Sequence, residues 1–164
     1  MSETMTKSRA ALGIGPNALF FEEFEVGQSW LSPRRTIAEA DIVMFAGLTG
    51  DYNPIHTDEE FAKTTPFGGR ILHGPAVFAI ATGLEFRLGI KEGTAIAFLG
   101  MTWNLKAPVK IGDTIHVYQR VEAVRRTKDP SRGIVTFWVE VRNQRGESCQ
   151  EGEWKVMFFA RRAD

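Results

Sequence analysis

The chain has 164 residues, few enough for one domain and enough to bury a core without metals or disulfides. Twenty Lys and Arg balance twenty Asp and Glu, so the net charge is zero and no whole-molecule field steers the protein to nucleic acid or an anionic membrane. A single cysteine, Cys149, excludes an intramolecular disulfide framework, and no run approaches the roughly 20 apolar residues that a membrane helix needs.

Residues 1–18 mix Glu3, Lys7 and Arg9 with short apolar patches and lack the continuous apolar core of a signal peptide. They read as a loosely ordered N-terminal arm of a soluble cytoplasmic protein, ahead of one domain over residues 19–164. Ser29 to Arg35 suits a first strand. Thr36-Ile-Ala-Glu39 has the capping-box pattern, and Ile42, Phe45, Ala46 and Thr49 follow at helical spacing until Gly50 supplies a stop. A helix is therefore predicted to deliver the chain to Asp51. Thr57-Asp-Glu-Glu60 repeats the box and predicts a short helix from residue 58 to about residue 64. Between them lies Asp51-Tyr-Asn-Pro-Ile-His56, read as a stiff, non-helical connector whose backbone is restricted by Asn53 and Pro54.

Ile71-Leu-His-Gly-Pro75 leads into residues 76–88, apolar on nearly every side until Glu85 and Arg87, which predicts a buried helix with Pro75 in its first turn. From Ala95 onward the period changes to two. Ile96 and Phe98, then Ile115, Val117 and Val121, then Phe137, Val139 and Val141, then Trp154, Val156 and Phe158 mark four long strands. Their separators carry Gly112, Pro130 with Gly133, and Asn143 with Gly146, the turn chemistry of antiparallel connections. One buried helix and a meander of long strands predict an α+β fold with an antiparallel sheet wrapped around the helix. The free sheet edge predicts a homodimer or higher homo-oligomer.

Asp51 and His56 are the residues best suited to chemistry. Imidazole exchanges protons near neutrality, and a carboxylate within reach orients it or shares the activation of a water. The competing reading is an Asp cap and a surface His in a turn. Gly74 falls at a helix start, where free N–H groups and the positive dipole end favour a developing anionic oxygen. His73 beside it reads as structural, fixing the loop by hydrogen bonding. Three scattered His and one Cys give no metal-ligand spacing. Two basic groups are candidates for phosphate contacts: Arg120, Arg125, Arg126, Lys128 and Arg132 around one hairpin, and Lys106 with Lys110 beside another turn. Solvated hairpin charge is the alternative for both.

The run Phe45, Leu48, Thr49, Gly50, Asp51, Asn53, Pro54, Ile55, His56 and Ala62 resembles the signature of the MaoC-like, R-specific enoyl-CoA hydratases (hydratase 2), which have the hot-dog fold. Phe21-Glu-Glu-Phe-Glu-Val-Gly27 and Ile71-Leu-His-Gly74 extend the resemblance over most of the chain. It implies a hydro-lyase of fatty acid metabolism that adds water to a trans-2-enoyl thioester, with Asp51 and His56 as the acid/base pair and Gly74 as oxyanion donor. It also implies a supporting role for Asn53 and a hydroxyl at Thr82, where relatives carry a Ser that hydrogen-bonds the catalytic Asp. No metal or redox cofactor is implied; coenzyme A or an acyl carrier enters as part of the substrate. Two alternatives remain on the same scaffold: an acyl-CoA thioesterase, and a non-catalytic acyl-thioester-binding subunit.

Overall fold

The computed structural model describes residues 13–161. Of the expected N-terminal arm, residues 1–12 lie outside the described residues. In residues 13–18, the Gly15 N–H donates to the Glu92 carbonyl at 3.0 Å and Ala18 is buried, while Gly13, Pro16 and Asn17 are exposed.

A 3-10 turn (Phe21–Glu23), four α-helices and seven strands follow among the described residues: α1 (Glu39–Thr49), α2 (Pro54–Thr57), α3 (Glu59–Lys63) and α4 (Gly74–Phe86), with β1 (Ser29–Leu31), β2 (Arg35–Thr36), β3 (Ala95–Met101), β4 (Asn104–Leu105), β5 (Thr114–Arg126), β6 (Arg132–Arg142) and β7 (Ser148–Phe159). The strands form one antiparallel sheet in the order β1-β5-β6-β7-β3, with β2 also on β5 and β4 also on β7. Period-two patterning gives the sheet its buried face. Val117 and Val121, Val135, Phe137 and Val139, and Trp154 and Phe158 all point to one side and are nearly inaccessible. The buried face of α4, Ala76, Val77, Ala81 and Leu84, closes the same core. Burying each large apolar side chain of this set contributes about 1.5–3 kcal/mol.

Two expectations from the sequence are corrected here. The box at Thr36 does not cap α1. Thr36 is drawn into β2, where its hydroxyl meets that of Thr114 at 2.8 Å, and the cap forms two residues later when Asp41 accepts the Ala38 N–H at 2.8 Å. Nor is α4 covered all round. Pro75, Ala79, Thr82, Gly83 and Phe86 are exposed, because in a single chain the sheet covers only one face of the helix. The expected stop of α1 is present: Gly50 adopts φ +76° and its N–H returns to the Ala46 carbonyl at 2.8 Å.

One ion pair is buried in this core. Lys91 Nζ lies 2.7 Å from Glu85 Oε1 and 4.5 Å from the centre of the Phe137 ring. Burial pushes the lysine's pKa down, and Glu85 opposes that shift. No helix among the described residues is long and apolar enough to cross a membrane.

Candidate active site

Asp51 is pinned from three sides. Its N–H donates to Thr49 Oγ1 at 3.2 Å, its carboxylate accepts the Asn53 N–H at 3.2 Å, and its backbone carbonyl accepts from His73 Nε2 at 2.9 Å. Thr49 in turn donates to the Phe45 carbonyl, so the last turn of α1 carries the aspartate's position forward. The connector after Asp51, expected to be non-helical, contains a helical turn. Asn53 caps it by accepting the Ile55 N–H at 3.2 Å, and Pro54 takes the N1 position where its missing N–H is harmless. His56 therefore sits on α2, a single-turn helix, with its ring buried.

The two imidazoles have assigned tautomers. His56 Nδ1 lies 2.7 Å from the Ile71 carbonyl, which can only accept, so Nδ1 carries the proton and the neutral ring keeps its lone pair on Nε2. His73 likewise carries its proton on Nε2, because that nitrogen faces the Asp51 carbonyl. The rings stack, with centroids 3.7 Å apart and planes 27° from parallel, and Phe45 lies 5.0 Å from His73 on another side. A carboxylate oxygen of Asp51 and a ring nitrogen of each histidine lie within 4.8 Å of one another. That span fits a water accepting and donating hydrogen bonds between carboxylate and imidazole. The fold thus gathers a carboxylate and two imidazoles that the sequence leaves scattered, a set that could also offer one ligand atom each to a metal ion.

Gly74 opens α4 beside this group. The carbonyl of His73 accepts from the N–H groups of both Ala76 and Val77, and Pro75 has none. The Gly74 N–H is thus the donor of the first turn that helix geometry leaves unclaimed. A Cβ on Gly74 would meet Leu105 Cδ2, so that exposed side chain would have to swing aside to admit one. The carbonyl of Gly74 accepts from Gln150 Nε2 at 2.9 Å, and Gln150 Oε1 accepts from the Trp103 indole N–H at 2.8 Å. Gln150 was not among the residues singled out from the sequence. Its signal is parity: it shares the inward register of Gly152, Trp154, Val156 and Phe158, where an amide is out of place unless both its ends are used.

Two grooves flank the start of α4. One, about 820 Å³, runs between Met44, Phe45 and Leu48 of α1 and Ala76 and Ile80 of α4, and reaches Arg87. The other, about 220 Å³, is bounded by Ile71, Gly74, Leu105, Lys106 and Gln150. Lys106 is therefore close to Gly74, and Lys110 pairs across from Ile71.

The remaining candidates fall elsewhere in the chain. Arg125 and Arg126 pair with Ile134 and Gly133, whereas Gln150 pairs with Val141, so seven residues of β6 separate the two levels, about 23 Å. Lys128 lies beyond them, and the chain's own site does not receive this hairpin. Arg126 instead meets Glu22 at 3.5 Å, Arg132 meets Asp129, and Arg120 meets Glu122. Thr82 is exposed on α4 and donates to the Ala79 carbonyl at 2.7 Å; within one chain it does not reach Asp51. His116 is on β5, where burial and the nearby guanidiniums of Arg34 and Arg142 push its pKa down. Cys149 is buried, and loss of solvation pushes its thiol up to about 11.

The chain as a whole matches a known family. Residues 23–143 match the family described as MaoC like domain. The chain is 44% identical to Protein MaoC of Klebsiella aerogenes over 87% of its own length, but spans only 39% of that protein. It is 38% identical to the (R)-specific enoyl-CoA hydratase of Rhodospirillum rubrum, over 87% of this chain and 93% of that one. The crystal structure of the MaoC-like dehydratase from Rhodospirillum rubrum superposes with a TM-score of 0.79 at 34% identity, covering 89% of this chain and all of the other. The fold is the hot-dog fold. The chain belongs to the MaoC-like dehydratase family, whose named relatives include (R)-specific enoyl-CoA hydratases and 3-hydroxyacyl-thioester dehydratases.

Proposed function

We propose that the protein adds water reversibly across the C2–C3 double bond of a trans-2-enoyl thioester, giving the (R)-3-hydroxyacyl thioester, and dehydrates that product in the reverse direction. The observation that carries this reading is the grouping of Asp51 and His56 within 4.8 Å, with His56 Nδ1 held by the Ile71 carbonyl, beside the start of α4 where the Gly74 N–H is unclaimed. A water held between Asp51 and His56 loses a proton to the pair as its oxygen bonds to C3. Electron density moves onto the thioester oxygen, where the Gly74 N–H stabilises it. The charge returns to C2, which takes up the proton. One donor of this kind contributes about 3 kcal/mol to the transition state.

The substrate is held as a thioester of coenzyme A or an acyl carrier, within fatty-acyl metabolism of the cytoplasm, and Lys106, which lines the groove with Gly74 and pairs with Glu151 at 3.2 Å, and Lys110, across from Ile71, are the cations offered to its phosphates. The unit of activity is a homodimer or larger homo-oligomer. Incubation with crotonyl-CoA tests the chemistry: conjugated enoyl absorbance is expected to fall while a thiol reagent detects no free CoA. Thiol release at a rate comparable to the absorbance change would replace this reading with a thioesterase.

A further inference from the structure

Gln150 occupies an unusual position for an amide, 2% exposed in the apolar face of β7. Its two ends are both committed. The Trp103 indole can only donate and the Gly74 carbonyl can only accept, so the amide has one orientation that satisfies both, and flipping it would set donor against donor and acceptor against acceptor. The indole is itself fixed from below. Gly152 lets the backbone of Thr102 and Trp103 lie directly on β7, where any Cβ would collide with the Thr102 carbonyl. Thr102 is fastened there by its N–H to the Glu153 carbonyl at 3.0 Å and by its hydroxyl, which accepts the Glu153 N–H at 3.2 Å.

Gly74 is the residue that most needs such a hold. Glycine restricts its own backbone less than any other residue, and a residue before proline is biased away from the helical region that Gly74 must adopt. Leu105 closes one side of Gly74 but supplies no polar contact. A methionine or leucine at position 150 would fill the same volume without burying polar atoms. The amide adds a direction: it pins the Gly74 carbonyl, and through the two dihedrals of that residue it sets where the Gly74 N–H points.

We propose that Gln150, oriented by Trp103, is a positioning residue that aims the Gly74 N–H at the thioester oxygen. This rests on the assignment of Gly74 as the oxyanion donor.

Steady-state kinetics on crotonyl-CoA across pH test it. Gln150→Met is expected to lower kcat about 10- to 100-fold with KM nearly unchanged, the cost of a misaimed contact rather than of lost binding. Gln150→Glu gives the readout that packing alone does not produce. As a carboxylate it faces the Gly74 carbonyl with an acceptor, and when protonated it restores a donor. Burial raises its pKa, so its activity relative to wild type is expected to climb as pH falls from about 8 to about 6. Trp103→Phe, which keeps the ring and removes the N–H, is expected to lower kcat several-fold even if the Gln150 variants fold poorly. A Gln150→Met enzyme within twofold of wild-type kcat, or a pH-independent Glu-to-wild-type ratio, overturns the positioning role while leaving the hydratase reading intact. Absence of hydration by the wild-type protein overturns both.

Discussion

His56 is useful because one of its nitrogens is already spent. Nδ1–H is held by the Ile71 carbonyl, which leaves the lone pair of the neutral ring on Nε2, and in the proposed reaction that lone pair takes the proton of a water shared with Asp51. Replacing His56 by Ala or Asp51 by Asn is expected to lower kcat by roughly 10²–10⁴ while the circular dichroism spectrum is unchanged. Gly74→Ala is expected to lower kcat while leaving the melting temperature within a few degrees, because the added methyl meets only the exposed tip of Leu105, which can move aside. Cys149 provides a contrasting case. A buried thiol held near pKa 11 is a poor nucleophile, so native protein at pH 8 should resist a maleimide that labels the denatured chain quickly. Asp51 and His56 stand out at this scale as a carboxylate and an imidazole on a short turn, a pattern that an Asp cap and a surface His would also give; the family resemblance is what singles them out together with Gly74. The ring stack and the Gln150 contact were not, since both depend on residues brought together across the fold: His73 from beyond α3, and β7 from 76 positions away.

Between elements, the segment carrying Asp51 and His56 is clamped by Arg70. Its guanidinium takes Glu39, at the start of α1, through two nitrogens at 2.6 and 2.7 Å, and Glu59, at the start of α3, at 3.2 Å. The hydrogen bond from Arg70 lowers the Glu39 pKa. A carboxylate whose pKa is depressed by folding contributes stability above its unfolded pKa, near pH 4, and loses that contribution as pH falls through the folded value. Glu39→Gln is therefore expected to melt a little below wild type at neutral pH, with the difference closing under acid conditions. The effect is small because the pair is largely solvated. The Glu85–Lys91 pair behaves differently, being buried among Phe137 and Trp154. Glu85→Ala leaves an uncompensated cation and is expected to cost about 3–5 kcal/mol in a denaturant titration, whereas Glu85→Leu with Lys91→Met should recover most of it. The longer helices and strands followed from periodicity, whereas the turn of α2 and the N-cap of α1 did not. Thr36 satisfied the local capping pattern and was claimed instead by its long-range partner Thr114.

For the whole molecule, the α+β plan was readable because strand and helix periods change cleanly at Ala95. What a single chain leaves uncovered was less so: residues 76–88 look apolar all round, yet Ala79, Gly83 and Phe86 remain exposed. The terminal strand β3 adds exposed Phe98, Leu99 and Met101 at an unpaired edge. Self-association through these surfaces is the expected cover, and light scattering should give at least twice the chain mass, with charged substitutions at Phe98 and Met101 shifting it toward monomer. Crotonyl-CoA incubated with the enzyme in ¹⁸O-labelled water and analysed by mass spectrometry should yield an intact CoA thioester carrying one labelled oxygen on the acyl chain, and the Asp51→Asn variant should yield almost none. Label found instead in a free carboxylic acid, or equal labelling by wild type and Asp51→Asn, would contradict the account.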